Sequence, residues 1–228
     1  MNKPVMGLPD SQCVDCNGTG YSGDGDCVSD CPCTYMPIVA ALFVETDGVY
    51  CGLPGVHPWT LDRDARAYKG PHPVVAHPPC SRWCQLAYII QKRYGYKVGD
   101  DGGCFAAALA AVRRWGGVLE HPAFSYAWPK FGLPRPPRAG WVKAICGGWV
   151  AQVSQGAYGH KARKLTWLYF FGPGTPPSLD WSVPEPTAQI SYCANHGDSP
   201  LPRLKPKDAS RTPLAFRDLL LSIAKEAV

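Results

Sequence analysis

The chain has 228 residues, 46% of them hydrophobic, and carries a formal net charge of +5. This length suits one main domain with an appendage, and no apolar run approaches the roughly 20 residues that a membrane-spanning helix needs. The modest positive charge is compatible with an anionic partner without demanding one. Composition therefore predicts a globular domain with a sizeable core and no membrane partner.

The first 35 residues contain two clusters of cysteines, at Cys13 and Cys16 and at Cys27, Cys31 and Cys33. This spacing is typical of a structural zinc site with four thiolates, in which Cys31 and either Cys27 or Cys33 join the first pair. The alternative is a disulfide framework. No signal peptide precedes the clusters, and the remaining cysteines are scattered, which favours a reducing cytoplasm. We therefore predict a zinc-binding module over residues 1–35.

Two short apolar runs predict buried strands of an α/β sheet, at residues 38–44 and 74–76. The second is followed by His77-Pro78-Pro79-Cys80. Prolines cannot continue the ladder, so they force a rigid turn at the carboxyl end of the strand, where open α/β sheets place their ligands. Cys80 is therefore a candidate nucleophile. The alternatives are a small buried hydrophobe, or a metal ligand paired with Cys84.

Residues 104–115 predict a helix, because acidic residues precede the run and two arginines and two glycines close it. An apolar strand follows and ends in the carboxylate of Glu120. A right-handed strand–helix–strand crossover makes the two flanking strands parallel. Cys80 and Glu120 are therefore expected to emerge at the same edge of the sheet.

The remaining elements complete a three-part division of the chain. A polar, basic loop at 155–164 suits phosphate or nucleobase contacts, or is simply solvated, and it leads into a strand at 165–171. Residues 173–206 are rich in proline and are expected to wrap the surface before a final helix at 213–227. The predicted boundaries are a zinc module at 1–35, an α/β catalytic domain at 36–172 and a C-terminal segment at 173–228.

Four motifs together resemble phage-type proteins related to DNA cytosine carbon-5 methyltransferases. They are Pro-Pro-Cys at 78–80, Glu-x-Pro at 120–122, Gln-x-x-x-Gly-His at 155–160 and Lys-x-Thr-x-Leu at 164–168. The resemblance covers residues 38–169. It implies a Rossmann-like, mostly parallel sheet and the methyl donor S-adenosylmethionine. It also implies a DNA or nucleotide substrate, and a cytoplasmic location that is the host cell's if the gene is a phage gene.

The same resemblance assigns roles to individual residues. It makes Cys80 the nucleophile, Glu120 the carboxylate that contacts the base, and Arg163 a cation that helps hold the pyrimidine. Neighbouring motif residues are predicted to contact the substrate, with Trp83 stacking on a base. These residues are His77, Pro79, Trp83, His121, Gln155 and His160.

The region that binds the methyl donor in the family departs from the family pattern here, because the glycine-rich turn after the first strand is missing. Glu45, Asp47 and Asp62 are the polar candidates there, although such acids are usually surface residues. Three functions therefore stay open. The leading one is a cytosine carbon-5 methyltransferase acting on DNA. The second uses the same thiol and carboxylate with another donor, as in hydroxymethyl transfer or base exchange. The third is a non-catalytic DNA-binding protein.

Overall fold

The computed structural model describes residues 38–190 and 200–227. The predicted zinc module therefore lies outside the described residues, together with its five candidate ligands, Cys13, Cys16, Cys27, Cys31 and Cys33.

Within the described ranges, seven strands form one sheet with the order β2-β1-β3-β4-β7-β6-β5. Their bounds are β1 Val39–Leu42, β2 Val56–Trp59, β3 Val74–Ala76, β4 Gly117–Pro122, β5 Trp141–Lys143, β6 Trp149–Ser154 and β7 Leu165–Phe171. The predicted strands at 74–76 and 165–171 are confirmed. Strands β2, β5 and β6 were not predicted, because a proline interrupts β2 and tryptophans and glycines surround the other two.

The sheet is mixed rather than mostly parallel. Strands β2, β1, β3 and β4 are parallel to one another, whereas β7, β6 and β5 continue the sheet in antiparallel pairings. Three of the six neighbouring pairs are therefore antiparallel. The expectation of a mostly parallel sheet holds for the first half of the sheet only, because β5, β6 and β7 are joined by short connections that contain no crossover helix.

Helices cover both faces of the sheet, so the chain is an α/β protein. They are α1 Ala87–Tyr94, α2 Cys104–Trp115, α3 Ala127–Lys130, α4 Pro206–Ser210 and α5 Leu214–Lys225, with short 3-10 turns at Ala65–Ala67 and Gln155–Tyr158. The prediction of α2 is confirmed to the residue. Its first turn is capped by Asp101, whose carboxylate accepts hydrogen bonds from the amides of Gly103 and Phe105.

The hydrophobic core has two halves, one on each face of the sheet. Alternate residues of β4 divide between them, with Leu119 facing α2 and Val118 facing α5. The C-terminal segment is therefore more than a surface wrap, since Phe216, Leu220 and Ile223 of α5 are fully buried and form one layer of the fold. Within the described ranges, no helix is long and apolar enough to cross a membrane.

Candidate active site

The candidate site lies at the carboxyl edge of β3 and β4. Ala76 pairs with Leu119, so His77 and Glu120 are the next residues on neighbouring strands and lie side by side. Glu120 pairs with Leu168 of β7, which faces α5. Thr166 is two residues from Leu168, so its side chain lies on the same face of the sheet as Glu120. The parallel pairing of β3 and β4 confirms that Cys80 and Glu120 emerge at one edge of the sheet.

A chain of hydrogen bonds fixes the Glu120 carboxylate, which is only 13% exposed. His77 Nδ1 lies 2.9 Å from Glu120 Oε2. On the other side, Gln155 Nε2 lies 3.4 Å from Glu120 Oε1 and donates to Thr166 Oγ1 at 2.9 Å. Three different strand ends therefore hold one carboxylate in place.

Tyr50 extends this chain beyond His77 and was not predicted from the sequence. Its hydroxyl lies 2.8 Å from His77 Nε2, and its side chain is only 3% exposed. Burial, then the charge of Glu120, raises the pKa of Tyr50 well above its ordinary value, so the hydroxyl keeps its proton. Because an ionised carboxylate only accepts, the Nδ1–H group of His77 donates to Glu120, and Nε2 lies within hydrogen-bond distance of the Tyr50 hydroxyl. His77 thus orients Glu120.

Glu120 is ionised in this arrangement. Burial alone would raise its pKa, but the hydrogen bond from His77, the electrostatic interaction with His77 and then the charge of Lys164 hold the pKa below its ordinary value of 4.5. A carboxylate that is charged, buried and oriented by neighbours is a common feature of functional sites. The group is therefore an acceptor for a proton or an N–H donor that a substrate brings.

Cys80 sits in the tight turn that follows β3. Its carbonyl accepts hydrogen bonds from the amides of Trp83 and Cys84, both at 2.9 Å, and its side chain is partly exposed. Burial, the charge of Glu120 and the neighbouring Cys84 raise the pKa of the thiol to about 11. The free protein therefore holds Cys80 as a thiol, and attack requires the removal of its proton.

Lys164 is the cation of the site, one residue beyond the predicted Arg163. Burial lowers its pKa, while the charges of Glu120 and Cys80 raise it, so the ammonium lies within electrostatic range of both groups. Its Nζ donates to the carbonyls of Ser210 and Arg211 at 2.9 and 3.1 Å. Its backbone has a φ of +33°, an unusual value for a residue other than glycine.

Arg163 is exposed, and its carbonyl accepts a hydrogen bond from the Ser154 hydroxyl at 2.5 Å. The prediction placed the cation one position too early. Residues 154–164 form a tight loop rather than an extended one, and this loop turns residue 164 toward the sheet edge.

The other predicted substrate contacts divide into two groups. His77 and Gln155 belong to the hydrogen-bonded chain around Glu120, and Pro79 is exposed in the Cys80 turn. His160 instead shapes its own loop, because its Nδ1 lies 3.0 Å from both the amide and the carbonyl oxygen of Ala162. Nothing in these contacts directs the His160 ring at Glu120.

His121 lies on the opposite face from Glu120, because successive residues of a strand alternate. Its ring is fully buried against Phe105 and Trp128. Neither ring nitrogen has a hydrogen-bond partner among the described residues, although the Pro79 backbone is close enough to influence its pKa. Burial lowers the pKa of His121 to about 4. This placement corrects the predicted substrate contact: His121 is a neutral core residue.

Trp83 is also a core residue. Its indole is 5% exposed, packs against Phe105 and Phe131, and donates from Nε1 to Asp101 at 2.8 Å. Little of the Trp83 ring is therefore open for the predicted stacking on a base. A polar tip bonded inside the protein is typical of a buried tryptophan.

The predicted donor residues do not form a pocket for S-adenosylmethionine. Glu45, Asp47 and Asp62 are all exposed. The turn after β1 closes on itself, because the Gly48 amide donates to the Glu45 carbonyl at 3.0 Å. A Cβ at Gly48 would lie 2.7 Å from that same oxygen, so the glycine serves the turn and leaves no cradle for a ligand. The residues present here do not fit the donor that the resemblance implies.

Fold and site together define an α/β protein with a thiol, a carboxylate and an ammonium group at the edge of a mixed sheet. Comparisons with family models, curated proteins and solved structures find no match to this chain. Among residues 38–190 and 200–227, no group of three or more histidine, cysteine, aspartate or glutamate side chains is placed to hold a metal ion.

Proposed function

We propose that this protein modifies cytosine bases through covalent attack by Cys80 on carbon 6 of the ring. The observation that supports this most directly is the buried, ionised Glu120 at the same sheet edge as Cys80, with Lys164 within electrostatic range of both. This trio fits the chemistry that the resemblance to cytosine carbon-5 methyltransferases implies. Cys80 follows β3 and Glu120 lies in β4, and these two strands are parallel, whereas Lys164 directly precedes β7, which pairs antiparallel with β4.

The attack needs a redistribution of protons that these residues can provide. As the Cys80 S–H bond breaks and the S–C6 bond forms, the electrons of the C5–C6 double bond move toward ring nitrogen 3, which must gain a proton. Glu120 is ionised, so it takes up the proton that the Cys80 thiol releases and delivers it to nitrogen 3. The proton lost by the thiol balances the one gained by the ring.

Moving a proton onto Glu120 also assists the thiol. The negative charge of Glu120 is one of the causes that raise the pKa of Cys80, so neutralising the carboxylate lowers that pKa at the moment of attack. Lys164 then faces a thiolate that it stabilises. Activation of the thiol is therefore expected only when a base occupies the site.

Gln155 is suited to orienting the base. Its side chain is 1% exposed, and its Oε1 has no hydrogen-bond partner among the described residues. A buried acceptor without a partner is costly, and an N–H group of a bound pyrimidine would satisfy it. Glu120 and Gln155 together offer acceptors to the exocyclic amine and the protonated ring nitrogen of cytosine.

His77 argues against a cysteine hydrolase of the Cys–His type. In such enzymes the imidazole removes the thiol proton. Here both ring nitrogens of His77 are engaged, one with Glu120 and the other with Tyr50. The imidazole supports the carboxylate instead.

The group transferred to carbon 5 defines the second candidate. The resemblance favours the methyl group of S-adenosylmethionine, whereas the closed turn at Gly48 favours another one-carbon donor or exchange at the base. Calorimetric titration with S-adenosylmethionine separates these candidates: micromolar binding supports methyl transfer, and the absence of binding supports the other donor.

Exchange of the carbon-5 hydrogen tests the covalent step without any donor. Addition of the thiol makes carbon 5 nucleophilic, so it takes a deuteron from D₂O, loses its proton, and regains the double bond when the S–C6 bond breaks. We expect cytosine in DNA to gain deuterium with the wild-type protein and no faster than in buffer with Cys80→Ala. Glu120→Gln should slow exchange by about 10²- to 10⁴-fold, the usual contribution of general acid–base catalysis.

Cys84→Ala is the matched control, since it removes a partly exposed thiol four residues from Cys80. It should leave exchange within a few-fold of wild type. Exchange that survives Cys80→Ala would contradict the role of Cys80 as the attacking thiol. Exchange that is absent with wild type would favour a non-catalytic DNA-binding protein on this fold.

A further inference from the structure

Helix α1, immediately after the Cys80 turn, is almost entirely exposed. Only Ala87 is buried, while Tyr88, Ile89 and Tyr94 are 57%, 60% and 60% exposed. Large apolar side chains clustered on one helix are unusual on a free surface and are typical of a binding surface.

The charge around α1 is positive. No aspartate or glutamate occurs from residue 65 to residue 99, whereas Arg82, Lys92, Arg93 and Lys97 lie in or beside the helix. The guanidinium of Arg82 lies 3.7 Å above the ring of Tyr96. Cations interleaved with aromatic rings are the features that bind the phosphates and unpaired bases of a nucleic-acid strand.

Beside α1 lies an aromatic cavity of about 670 Å³, lined by Trp83, Tyr88, Tyr126, Lys97, Lys130 and Asp100 among others. Tyr88 and Tyr126 meet edge to face with ring centroids 5.0 Å apart. The volume is that of small-molecule pockets. Two lysines against one aspartate give the cavity a net positive charge.

Backbone hydrogen bonds attach this cavity to the nucleophile. The Trp83 amide donates to the Cys80 carbonyl at 2.9 Å, and the Tyr126 amide donates to the Trp83 carbonyl at 2.8 Å. A ligand in the aromatic cavity therefore lies next to whatever occupies the Cys80 site. The two sites are separate, since neither Cys80 nor Glu120 lines the cavity.

We propose that the aromatic cavity binds an unpaired base of a DNA strand, next to the cytosine held at Cys80, while the cations of α1 contact its phosphates. This inference rests on the proposed function and narrows its substrate class. The substrate is a polynucleotide, because a free nucleotide fills the Cys80 site alone and leaves α1 and the cavity empty.

Binding of a fluorescent single-stranded DNA tests this assignment. The probe is a degenerate 12-nucleotide oligomer with cytosine at its centre, measured by anisotropy with the full-length protein. Tyr88→Ala should weaken binding by roughly 5- to 100-fold, the usual cost of losing one base-stacking contact. Lys97→Ala should weaken binding and reduce the dependence of log affinity on log salt by about 0.7, the value for one phosphate contact in a single strand.

Lys225→Ala is the matched control, because it removes the same charge at the exposed end of α5. It should leave both the affinity and the salt dependence unchanged. Deoxycytidine monophosphate should compete with the oligomer only at concentrations at least 100-fold higher. Equal competition by the mononucleotide, or a Tyr88→Ala variant that binds like wild type, would overturn the assignment.

The two proposals fail in different ways. If hydrogen exchange at carbon 5 is absent but oligomer binding still depends on Tyr88 and Lys97, the DNA-binding surface stands and the proposed chemistry does not. If exchange occurs equally on the free nucleotide and on DNA, and Tyr88→Ala has no effect on either, the chemistry stands and the surface does not.

Discussion

Replacing Glu120 with glutamine tests whether the carboxylate suppresses ionisation of the Cys80 thiol. Burial, the charge of Glu120 and the neighbouring Cys84 raise the pKa of Cys80 from 9.0 to about 11. Glutamine keeps the shape of the side chain but removes its charge. We therefore expect the pKa of Cys80 to fall in Glu120→Gln, while it stays above 9.0 because the thiol is still buried.

The expected rates of alkylation follow from this rise of two units. At pH 8 the thiolate fraction is about 100-fold lower than for an unperturbed thiol. A thiolate of higher pKa is also a better nucleophile, with a Brønsted coefficient of about 0.4–0.5, which recovers roughly 6- to 10-fold. Cys80 should therefore react about 10- to 16-fold more slowly than free cysteine. Each unit that Glu120→Gln restores should accelerate the reaction about three- to fourfold.

The assay is alkylation with iodoacetamide at pH 8, followed by peptide mass spectrometry that resolves Cys80 from the other cysteines. Glu45→Gln is the control, since it removes an exposed carboxylate from the turn after β1. Circular dichroism confirms that each variant is folded. If Glu120→Gln reacts no faster than wild type and Glu45→Gln, the carboxylate does not control the thiol.

Two further predictions concern stability. Gly117 has a φ of +121°, and a Cβ there would lie 2.0 Å from the Val74 carbonyl oxygen of the neighbouring strand, whereas Gly140 has a φ of +87° with open space around it. In urea unfolding, Gly140→Ala should therefore lower the free energy of unfolding only by the backbone strain of about 1–2 kcal/mol. Gly117→Ala should lower it by at least about 2 kcal/mol more. Equal losses would show that β3 and β4 do not approach this closely. For His121, the folded pKa of about 4 lies below the ordinary 6.5, so the unfolded chain gains a proton first as pH falls. The free energy of unfolding should therefore drop by roughly 3 kcal/mol between pH 6.5 and 4 and then level off. His121→Leu should remove this drop. If the variant keeps the wild-type dependence on pH, another group causes the drop.

The sheet edge that carries Cys80 and Glu120 can be predicted from the sequence because its signals are local. The apolar run before His77, the acidic and basic ends of α2, and the apolar run before Glu120 each mark one element. The parallel crossover then follows from general rules of chain connection. For this reason the order of residues along the chain is enough to place Cys80 and Glu120 at one edge.

The rest of the site depends on contacts between distant residues. Tyr50 reaches His77 across 27 positions, and Lys164 is held by carbonyls 46 and 47 positions away. Whether residue 163 or residue 164 faces the site depends on the tight loop that starts at Ser154. The burial of His121 follows from strand alternation, but only once the neighbours on each face are known. Motif spacing carries none of this information.

The contact between the Arg217 guanidinium and the Val49 carbonyl, at 3.1 Å, joins residues 168 positions apart and holds the turn that carries Tyr50. Contacts of such long range are costly in chain entropy and slow to form during folding. The surroundings that raise the pKa of the Cys80 thiol are therefore expected to assemble late, from segments near both ends of the described chain. Until then the thiol should keep the reactivity of an unstructured cysteine. Pulsed alkylation of Cys80 during refolding would therefore report the time at which these long-range contacts form.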